Sequence, residues 1–296
     1  MNPRVLMWEH HAWESPIRVG GRAFAERFLE AGWDVAWING PLAPWNLVGG
    51  NAEIARRRDC WRQRGRQSWV GRGRLFTYAP LSLVPYRPYP PLSRGWFHRH
   101  SLDWTLPSLL RVLSAQDFPS VDLLWLATGS PFLPLLDRVR HGASLYRLSD
   151  DTAAFPDTPG TYRALEEEAL ARVDCVIATA ASLAQRASKF CSRVLLLPNG
   201  VDASRFTRHG SVSGTAATSA RRPRAVYVGA LDSWFDRGKV KALSRAFPEI
   251  EILLAGPLRM ETDWAQPFSN VRLPGPVPPE NVPELLAQCD VSGEAV

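Results

Sequence analysis

The chain has 296 residues, of which 45% are hydrophobic and 22% are charged. This composition, without a low-complexity block, excludes a disordered or fibrous protein, and the length predicts two domains. The sequence contains no run of ~18 apolar residues, the length that is needed to span a bilayer. The first residues also lack a signal-peptide pattern, so we expect a cytoplasmic protein. The four cysteines lie far apart without CxxC spacing, which argues against a disulfide framework or a zinc site.

The basic residues are concentrated in one segment of the chain. The formal net charge is +6, and all but three of the 35 basic residues are arginines. Arginines interleaved with Trp61 and Trp69 favour an anionic membrane surface, with a solvated loop as the alternative. Nucleic-acid binding is disfavoured because no recognised motif accompanies the charge. The arginines of this segment are Arg56, Arg57, Arg58, Arg62, Arg64, Arg66, Arg72 and Arg74.

Short apolar runs alternate with helical patterns over the first two hundred residues. The first run, residues 4–8, is followed by a polar loop and by a helical pattern over residues 20–31. Alternation of this kind predicts an α/β fold with a parallel sheet that is covered on both faces. The further predicted strands are residues 34–38, 75–78, 122–126, 144–148, 175–178 and 193–197, and the further predicted helices are residues 161–172 and 181–189.

A polar stretch separates this pattern from a second and shorter one. Residues 207–223 are rich in serine, threonine, glycine and arginine, which is typical of a linker. We therefore predict an N-terminal Rossmann-like domain over residues 1–206 and a second one over residues 224–296. The second domain is shorter than the usual ~100–150 residues, so we expect its sheet to be incomplete. Its predicted strands are residues 224–228, 250–255, 270–273 and 290–291, and its predicted helices are residues 237–247 and 282–289.

The loops that follow the predicted strands are candidate binding sites, because open parallel sheets bind ligands outside the carboxyl ends of their strands. In the first loop, glycines at the start of a helix let backbone amides approach an anion. No GxGxxG follows a strand, which disfavours a dehydrogenase. Adjacent histidines without a third ligand nearby argue against a metal site. The candidate acceptor-side residues are Glu9, His10, Glu14, Gly20 and Gly21.

Carboxylates at the end of another predicted strand are candidates for proton transfer. Asp150 and Asp151 follow the strand at residues 144–148, where a carboxylate can take a proton from an attacking hydroxyl group. Aspartate is also a favoured helix cap, so a structural role for one of the pair stays open. His11 in the first loop is the third catalytic candidate.

The second domain carries the candidate residues for a phosphate-bearing ligand. Gly229 directly follows a strand and lets the backbone approach a pyrophosphate, which a basic residue in the next turn can neutralise. A base or ribose would rest at Gly256, for which an ordinary turn glycine is the alternative. The candidate donor-binding residues are Gly229, Asp232, Arg237, Lys239, Gly256 and Asn199.

Five segments together resemble the nucleotide-sugar glycosyltransferases of the GT-B type, which contain two Rossmann-like domains. LPNGVDASRF at residues 197–206 is similar to the interdomain signature of family-4-like members. SDD with Phe155, and GALDSWFD at residues 229–236, resemble a bacterial subgroup that includes teichuronic-acid and exopolysaccharide glycosyltransferases. The other matching segments are the strand, loop and glycine pair at residues 5–28 and ILLAGP at residues 252–257.

The resemblance implies that the first domain holds the acceptor and the second holds a nucleoside-diphosphate sugar, with no metal or other cofactor. It implies a hexosyltransferase-type enzyme that acts on a lipid-linked or polysaccharide acceptor in cell-surface glycan synthesis, at the inner membrane face. Ala230 departs from the family, which has a basic residue there. The family's acidic E-x7-E stretch would lie beyond Val296, so we expect a C-terminally truncated chain. A non-catalytic remnant or binding module is the alternative.

Overall fold

The computed structural model describes residues 2–15, 20–84, 92, 94–127, 133–152, 160–201, 203–207 and 222–293. The chain divides into two compact units, Met1–Gly200 and Val201–Val296. Most of the predicted linker, residues 208–221, lies outside the described residues, as does Phe155 of the SDD segment.

The first unit is built on an eight-stranded sheet in the order β10-β9-β8-β7-β1-β2-β4-β3. Neighbouring strands run parallel, apart from the edge strand β3, which pairs with β4 in antiparallel register. A separate two-stranded sheet joins β5 and β6. The strands are β1 (Arg4–Glu9), β2 (Asp34–Asn39), β3 (Arg66–Val70), β4 (Gly73–Tyr78), β5 (Leu81–Ser82), β6 (Thr105–Leu106), β7 (Ser120–Ala127), β8 (Arg140–Leu148), β9 (Cys175–Ala178) and β10 (Val194–Leu196).

Helices cover both faces of this sheet, as the alternating sequence pattern predicts. Successive side chains of β1 point to opposite faces, so Val5 and Met7 lie in one hydrophobic core while Leu6 and Trp8 lie in the other. No helix within the described residues is long and apolar enough to cross a membrane. The helices are α1 (Gly20–Glu30), α2 (Ala52–Arg62), α3 (Gly95–Arg99), α4 (Leu109–Ala115), α5 (Leu133–Arg138), α6 (Gly160–Arg172), α7 (Ala181–Ala187) and α8 (Ala203–Thr207), the last of which belongs to the second unit.

The arginine-rich segment is regular structure, so the solvated-loop interpretation is wrong. It contains α2, β3 and the start of β4. Arg57 pairs with Glu53 at 3.3 Å, and Arg58 donates to the backbone carbonyls of Asn46 and Gly49. Several of these arginines therefore hold the fold together. The sequence did not indicate this because a helix with one fully buried side chain, Cys60, has almost no apolar stripe.

The second unit contains a four-stranded parallel sheet in the order β13-β12-β11-β14. Its core includes Leu231, Phe235, Val240 and Leu254, which pack between the sheet and α9. The strands are β11 (Arg224–Val228), β12 (Glu251–Ala255), β13 (Val271–Gly275) and β14 (Val291–Gly293), and the helices are α9 (Arg237–Ala246) and α10 (Val282–Ala287).

Candidate functional site

Each parallel sheet has a topological switch point, where successive connections leave a strand toward opposite sides. In the first sheet β1 lies between β2 and β7, and in the second sheet β11 lies between β12 and β14. Ligands of open α/β sheets bind in the crevice outside the carboxyl ends of the strands at such a point. The residues that end β1 and follow β11 are Glu9 and Gly229, and both are candidates from the sequence.

Glu9 is a buried carboxyl group at the switch point of the first sheet. Its side chain is 3% exposed, and its Oε1 accepts a hydrogen bond of 3.0 Å from Trp125 Nε1 on β7. Burial raises the pKa of Glu9 to about 7, although the positive charge of Arg147 and the Trp125 hydrogen bond act in the opposite direction. The Glu9 carboxyl group therefore titrates near neutral pH.

Arg147 on β8 is the charged partner that sequence reasoning missed. It is buried, and its Nη2 donates a 2.7 Å hydrogen bond to Asn199 Oδ1. Burial lowers the pKa of Arg147, while the negative charges of Glu9 and Asp150 raise it. Asn199, predicted from the sequence to bind the donor, thus lies in the first unit as a partner of this arginine.

The glycine pair at the start of α1 accommodates these two side chains. A Cβ atom at Gly20 would overlap the Arg147 guanidinium, and one at Gly21 would overlap the Glu9 carboxyl group. The space that the sequence assigned to an anion at the backbone amides therefore contains two ionisable side chains.

Hydrogen bonds fix the backbone of the loop that follows β1. The Asn39 side-chain amide donates to the carbonyl oxygens of Glu9 and His11, at 3.1 and 2.5 Å. Trp37 Nε1 donates a third bond, of 3.0 Å, to the His11 carbonyl oxygen. The rings of His10 and His11 meet edge to face, with centroids 5.1 Å apart. The hydrogen bonds to its carbonyl oxygen therefore fix the backbone position of His11.

Residues of α2 and β3 form further contacts with the same loop. Glu53 Oε1 accepts a 2.6 Å hydrogen bond from the Ala12 amide, and Arg57 donates to the carbonyl oxygen of His10. Burial raises the pKa of Glu53, but the Ala12 hydrogen bond and the Arg57 charge outweigh it, so the net pKa is lowered. Glu14 forms a 3.2 Å ion pair with Arg66.

The two predicted catalytic aspartates differ in their surroundings. Asp150 is exposed, and its Oδ2 accepts a 2.8 Å hydrogen bond from Ser149 Oγ. Asp151 forms a 3.4 Å ion pair with Arg186 on α7. The Asp150 carboxylate thus lies close enough to Arg147 for their charges to interact, whereas Asp151 is engaged with a different arginine.

Arg186, the partner of Asp151, also forms a buried ion pair. Arg186 Nη2 is 2.7 Å from Oε2 of Glu166, which is fully buried on α6. Glu166 Oε1 also accepts a 3.0 Å hydrogen bond from the Tyr146 hydroxyl. Glu166 lies on the same helical stripe as the buried Ala169 and Leu170, a pattern that indicates its burial but not its partner.

Glycines end the four strands of the second sheet. Gly275 and Gly293 are the last residues of β13 and β14, and Gly229 and Gly256 directly follow β11 and β12. The Gly229 amide donates to the Ala255 carbonyl oxygen, and the Gly256 amide donates to the Gly275 carbonyl oxygen, each at 2.9 Å. At the carboxyl ends of these four strands the chain therefore carries glycine, which has no side chain.

Close backbone packing explains one of these glycines. Gly256 has a φ of +156°, and a Cβ atom there would overlap the carbonyl oxygen of Gly229. Gly256 is buried, whereas Gly229 and Gly275 are partly exposed. Of the two predicted donor-binding glycines, Gly229 is thus the more exposed, although a Cβ atom there would overlap the Tyr227 ring.

The predicted basic residues lie in the first turn of α9. Arg237 and Lys239 are exposed, and the side chain of Asp236 caps the helix by accepting a 3.0 Å hydrogen bond from the Lys239 amide. Asp232 in the preceding loop accepts from the Ser233 amide at 2.7 Å and lies 3.5 Å from the Arg259 guanidinium. Lys239 also lies 3.8 Å from the Asp236 carboxylate, so two of the three cationic side chains near this loop have carboxylate partners.

The amino-acid sequence matches no protein-family model and none of the curated proteins. Solved structures do match the fold. Anabaena HepE in complex with UDP and glucose aligns with a TM-score of 0.59 at 14% identity, over 98% of this chain and 73% of HepE. A glycosyltransferase from Rickettsia africae aligns with a TM-score of 0.58 at 10% identity, over 98% of this chain and 72% of its own.

A third similar structure is the catalytic domain of starch synthase IV from Arabidopsis thaliana, bound to ADP and acarbose. It aligns with a TM-score of 0.54 at 10% identity, over 99% of this chain and 78% of its own. The chain therefore has the α/β fold with parallel sheets that GT-B glycosyltransferases share, as the sequence predicts.

Proposed function

We propose that the protein is a glycosyltransferase that moves a sugar from a nucleoside-diphosphate sugar to an acceptor hydroxyl group. The observation that carries this proposal is the buried Glu9 and Arg147 pair at the switch point of the first sheet. The fold supports it, since HepE was solved with UDP and glucose and starch synthase IV with ADP and acarbose. The nucleotide sugar is a co-substrate in this proposal, and no metal or other cofactor takes part.

The second unit binds the donor in this proposal. The diphosphate binds at the end of β11, beside the partly exposed backbone of Gly229 and the Tyr227 ring that packs on it, and Arg237 and Lys239 neutralise its charge from the first turn of α9. These two residues replace the basic residue that the resemblance expects at the position of Ala230. Stabilising the departing diphosphate is the main electrostatic task in such a transfer.

The first unit binds the acceptor and receives its proton. Both carboxylates are exposed at the end of β8, and we assign the proton acceptor to Asp150 because Asp151 is paired with Arg186. Arg147, which is hydrogen-bonded to Asn199 and attracted by the charge of Glu9, positions the anionic part of a substrate beside this carboxylate. His11, on its hydrogen-bonded backbone, contacts the acceptor.

The acceptor that we propose is a lipid-linked or polysaccharide chain of the cell surface, glycosylated at the cytoplasmic face of the membrane. This assignment follows the likeness of the SDD and GALDSWFD segments to enzymes that synthesise teichuronic acid and exopolysaccharides. The test incubates the protein with a panel of nucleotide sugars and a bacterial lipid extract, and measures the release of the nucleoside diphosphate. We expect release to depend on both substrates.

Two variants separate catalysis from binding. Asp150→Asn should lower the turnover rate by about 10²-fold or more, the usual contribution of a general base, and leave the dissociation constant of the nucleotide sugar unchanged. Asp151→Asn is the matched control and should lower turnover less. Equal losses in the two variants would remove Asp150 from the role of proton acceptor. Donor binding without turnover by the unaltered protein would identify a binding module instead.

A further inference from the structure

The two-stranded sheet of β5 and β6 exposes an apolar surface. Leu81 pairs with Leu106 and Ser82 with Thr105, and the Leu83 amide donates a 2.9 Å hydrogen bond to the carbonyl oxygen of Trp104. Because side chains alternate along a strand, Leu81, Leu83, Trp104 and Leu106 lie on one face, where Leu81 alone of the four is buried, while Ser82 and Thr105 are buried on the other. We name the exposed three the β5–β6 face: Leu83 is 52% exposed, Trp104 37% and Leu106 54%.

The basic end of α2 borders this face. Trp61 Nε1 donates a 2.7 Å hydrogen bond to the carbonyl oxygen of Leu106, which places the last turn of α2 against β6. Arg62 follows directly and is exposed, although it lies 3.8 Å from Asp59, and Arg64 in the next turn is exposed as well. Arg62 and Arg64 therefore place positive charge at the border of the face, whereas Arg56, Arg57, Arg58 and Arg66 of the same segment are engaged within the fold.

The β5–β6 face lies at the carboxyl edge of the first sheet. β5 begins three residues after β4 ends at Tyr78. The Leu42 amide, just beyond β2, donates to the Pro80 carbonyl oxygen, and the Ser82 amide donates to that of Leu42. This is the same edge at which Glu9 ends β1.

We propose that the β5–β6 face, together with Arg62 and Arg64, binds the surface of an anionic lipid bilayer. Exposed leucine and tryptophan side chains enter the headgroup region, where the indole ring is favoured, and adjacent arginines attract the lipid phosphates. The charge of the border selects a bilayer over a second copy of the chain, because two copies with the same positive border would repel. This inference does not depend on the proposed transfer activity.

The test is co-sedimentation of the full chain with vesicles. Phosphatidylcholine vesicles with 30% phosphatidylglycerol should bind at least tenfold more strongly than pure phosphatidylcholine vesicles. Leu83→Ser with Leu106→Ser should weaken binding to anionic vesicles at least tenfold, because it removes the apolar side chains. Arg62→Gln and Arg64→Gln should each weaken that binding about fivefold and leave binding to neutral vesicles unchanged.

Trp69→Ser is the matched control. Trp69 is 74% exposed on the edge strand β3 within the arginine-rich segment, but it lies outside the β5–β6 face. We expect this variant to bind vesicles as the unaltered protein does. The proposal fails if no vesicles bind, if neutral and anionic vesicles bind equally, or if Trp69→Ser has the larger effect. It also fails if the double serine variant abolishes a dimer in analytical ultracentrifugation, which would identify a second copy as the occupant.

Discussion

The carboxyl group of Glu9 and the guanidinium group of Arg147 cover two successive glycines at the start of α1. The two residues come from β1 and β8, which are separated in the sheet by β7. Trp125 of that intervening strand donates its indole N–H to the same carboxyl group. A buried carboxyl group and a buried guanidinium group thus lie close enough at the switch point for their charges to interact, and two of the predictions below follow from this arrangement.

Glu9 makes stability depend on pH. Its pKa is about 7 in the folded protein and about 4.5 when exposed, so the folded state binds the proton more tightly. The resulting stability is fully present below pH 4.5 and is lost as the pH rises to about 7, by roughly 3 kcal/mol in total. Urea unfolding between pH 4 and 8 measures this loss.

Glu9→Gln is the control for the pH dependence, because the amide cannot ionise. The unfolding free energy of the unaltered protein minus that of the variant should fall from pH 4.5 to 7 and stay constant above that range. A difference that does not change with pH would mean that Glu9 has an ordinary pKa.

Gly21→Ala should destabilise the first unit. The added Cβ would overlap the carboxyl group of Glu9, which is fixed by burial and by Trp125, and overpacking of this kind costs about 1–3 kcal/mol. Gly49→Ala is the matched control, since a Cβ there meets nothing within 4 Å. Thermal and urea unfolding of both variants check the prediction, which equal stabilities would contradict.

Glu166→Ala should destabilise the protein strongly. Among the described residues, the substitution leaves the exposed Asp151 as the one ion-pair partner of the Arg186 guanidinium, and breaking a buried ion pair in this way costs about 3–5 kcal/mol. Glu167→Ala in the same helix removes only a surface pair with Arg163 and should cost less than about 1 kcal/mol. If urea unfolding gave similar losses for the two variants, Glu166 would not be the anchor of this network.

The strands of the first sheet were predictable because parallel strands are buried on both faces. Such strands form continuous apolar runs, and the predicted residues 4–8 and 175–178 lie within β1 and β9. β3 was not predicted, because as an antiparallel edge strand it has mostly exposed side chains and no apolar run. β5 and β6 are two residues each, which is too short for a periodic pattern to appear.

The candidate site was predictable only in part. Glu9, Gly20 and Gly21 stand where a strand ends and a helix begins, so local sequence indicated them. Arg147 lies inside an apolar strand, and its role depends on contacts with residues about 130 positions earlier in the chain. Long-range contacts of this kind have no local sequence pattern, and for the same reason the partnership of Glu166 with Arg186 was missed.

Binding of nucleotide sugars tests the central proposal most directly. A panel of nucleotide sugars and nucleoside diphosphates is titrated while the unfolding temperature is followed, since a ligand at 100 times its dissociation constant adds about 2.7 kcal/mol of stability. We predict that at least one nucleotide sugar and its nucleoside diphosphate stabilise the protein, and that Arg237→Gln with Lys239→Gln abolishes the effect. Absence of stabilisation by every compound, or a full effect in the double variant, would contradict the proposed donor site.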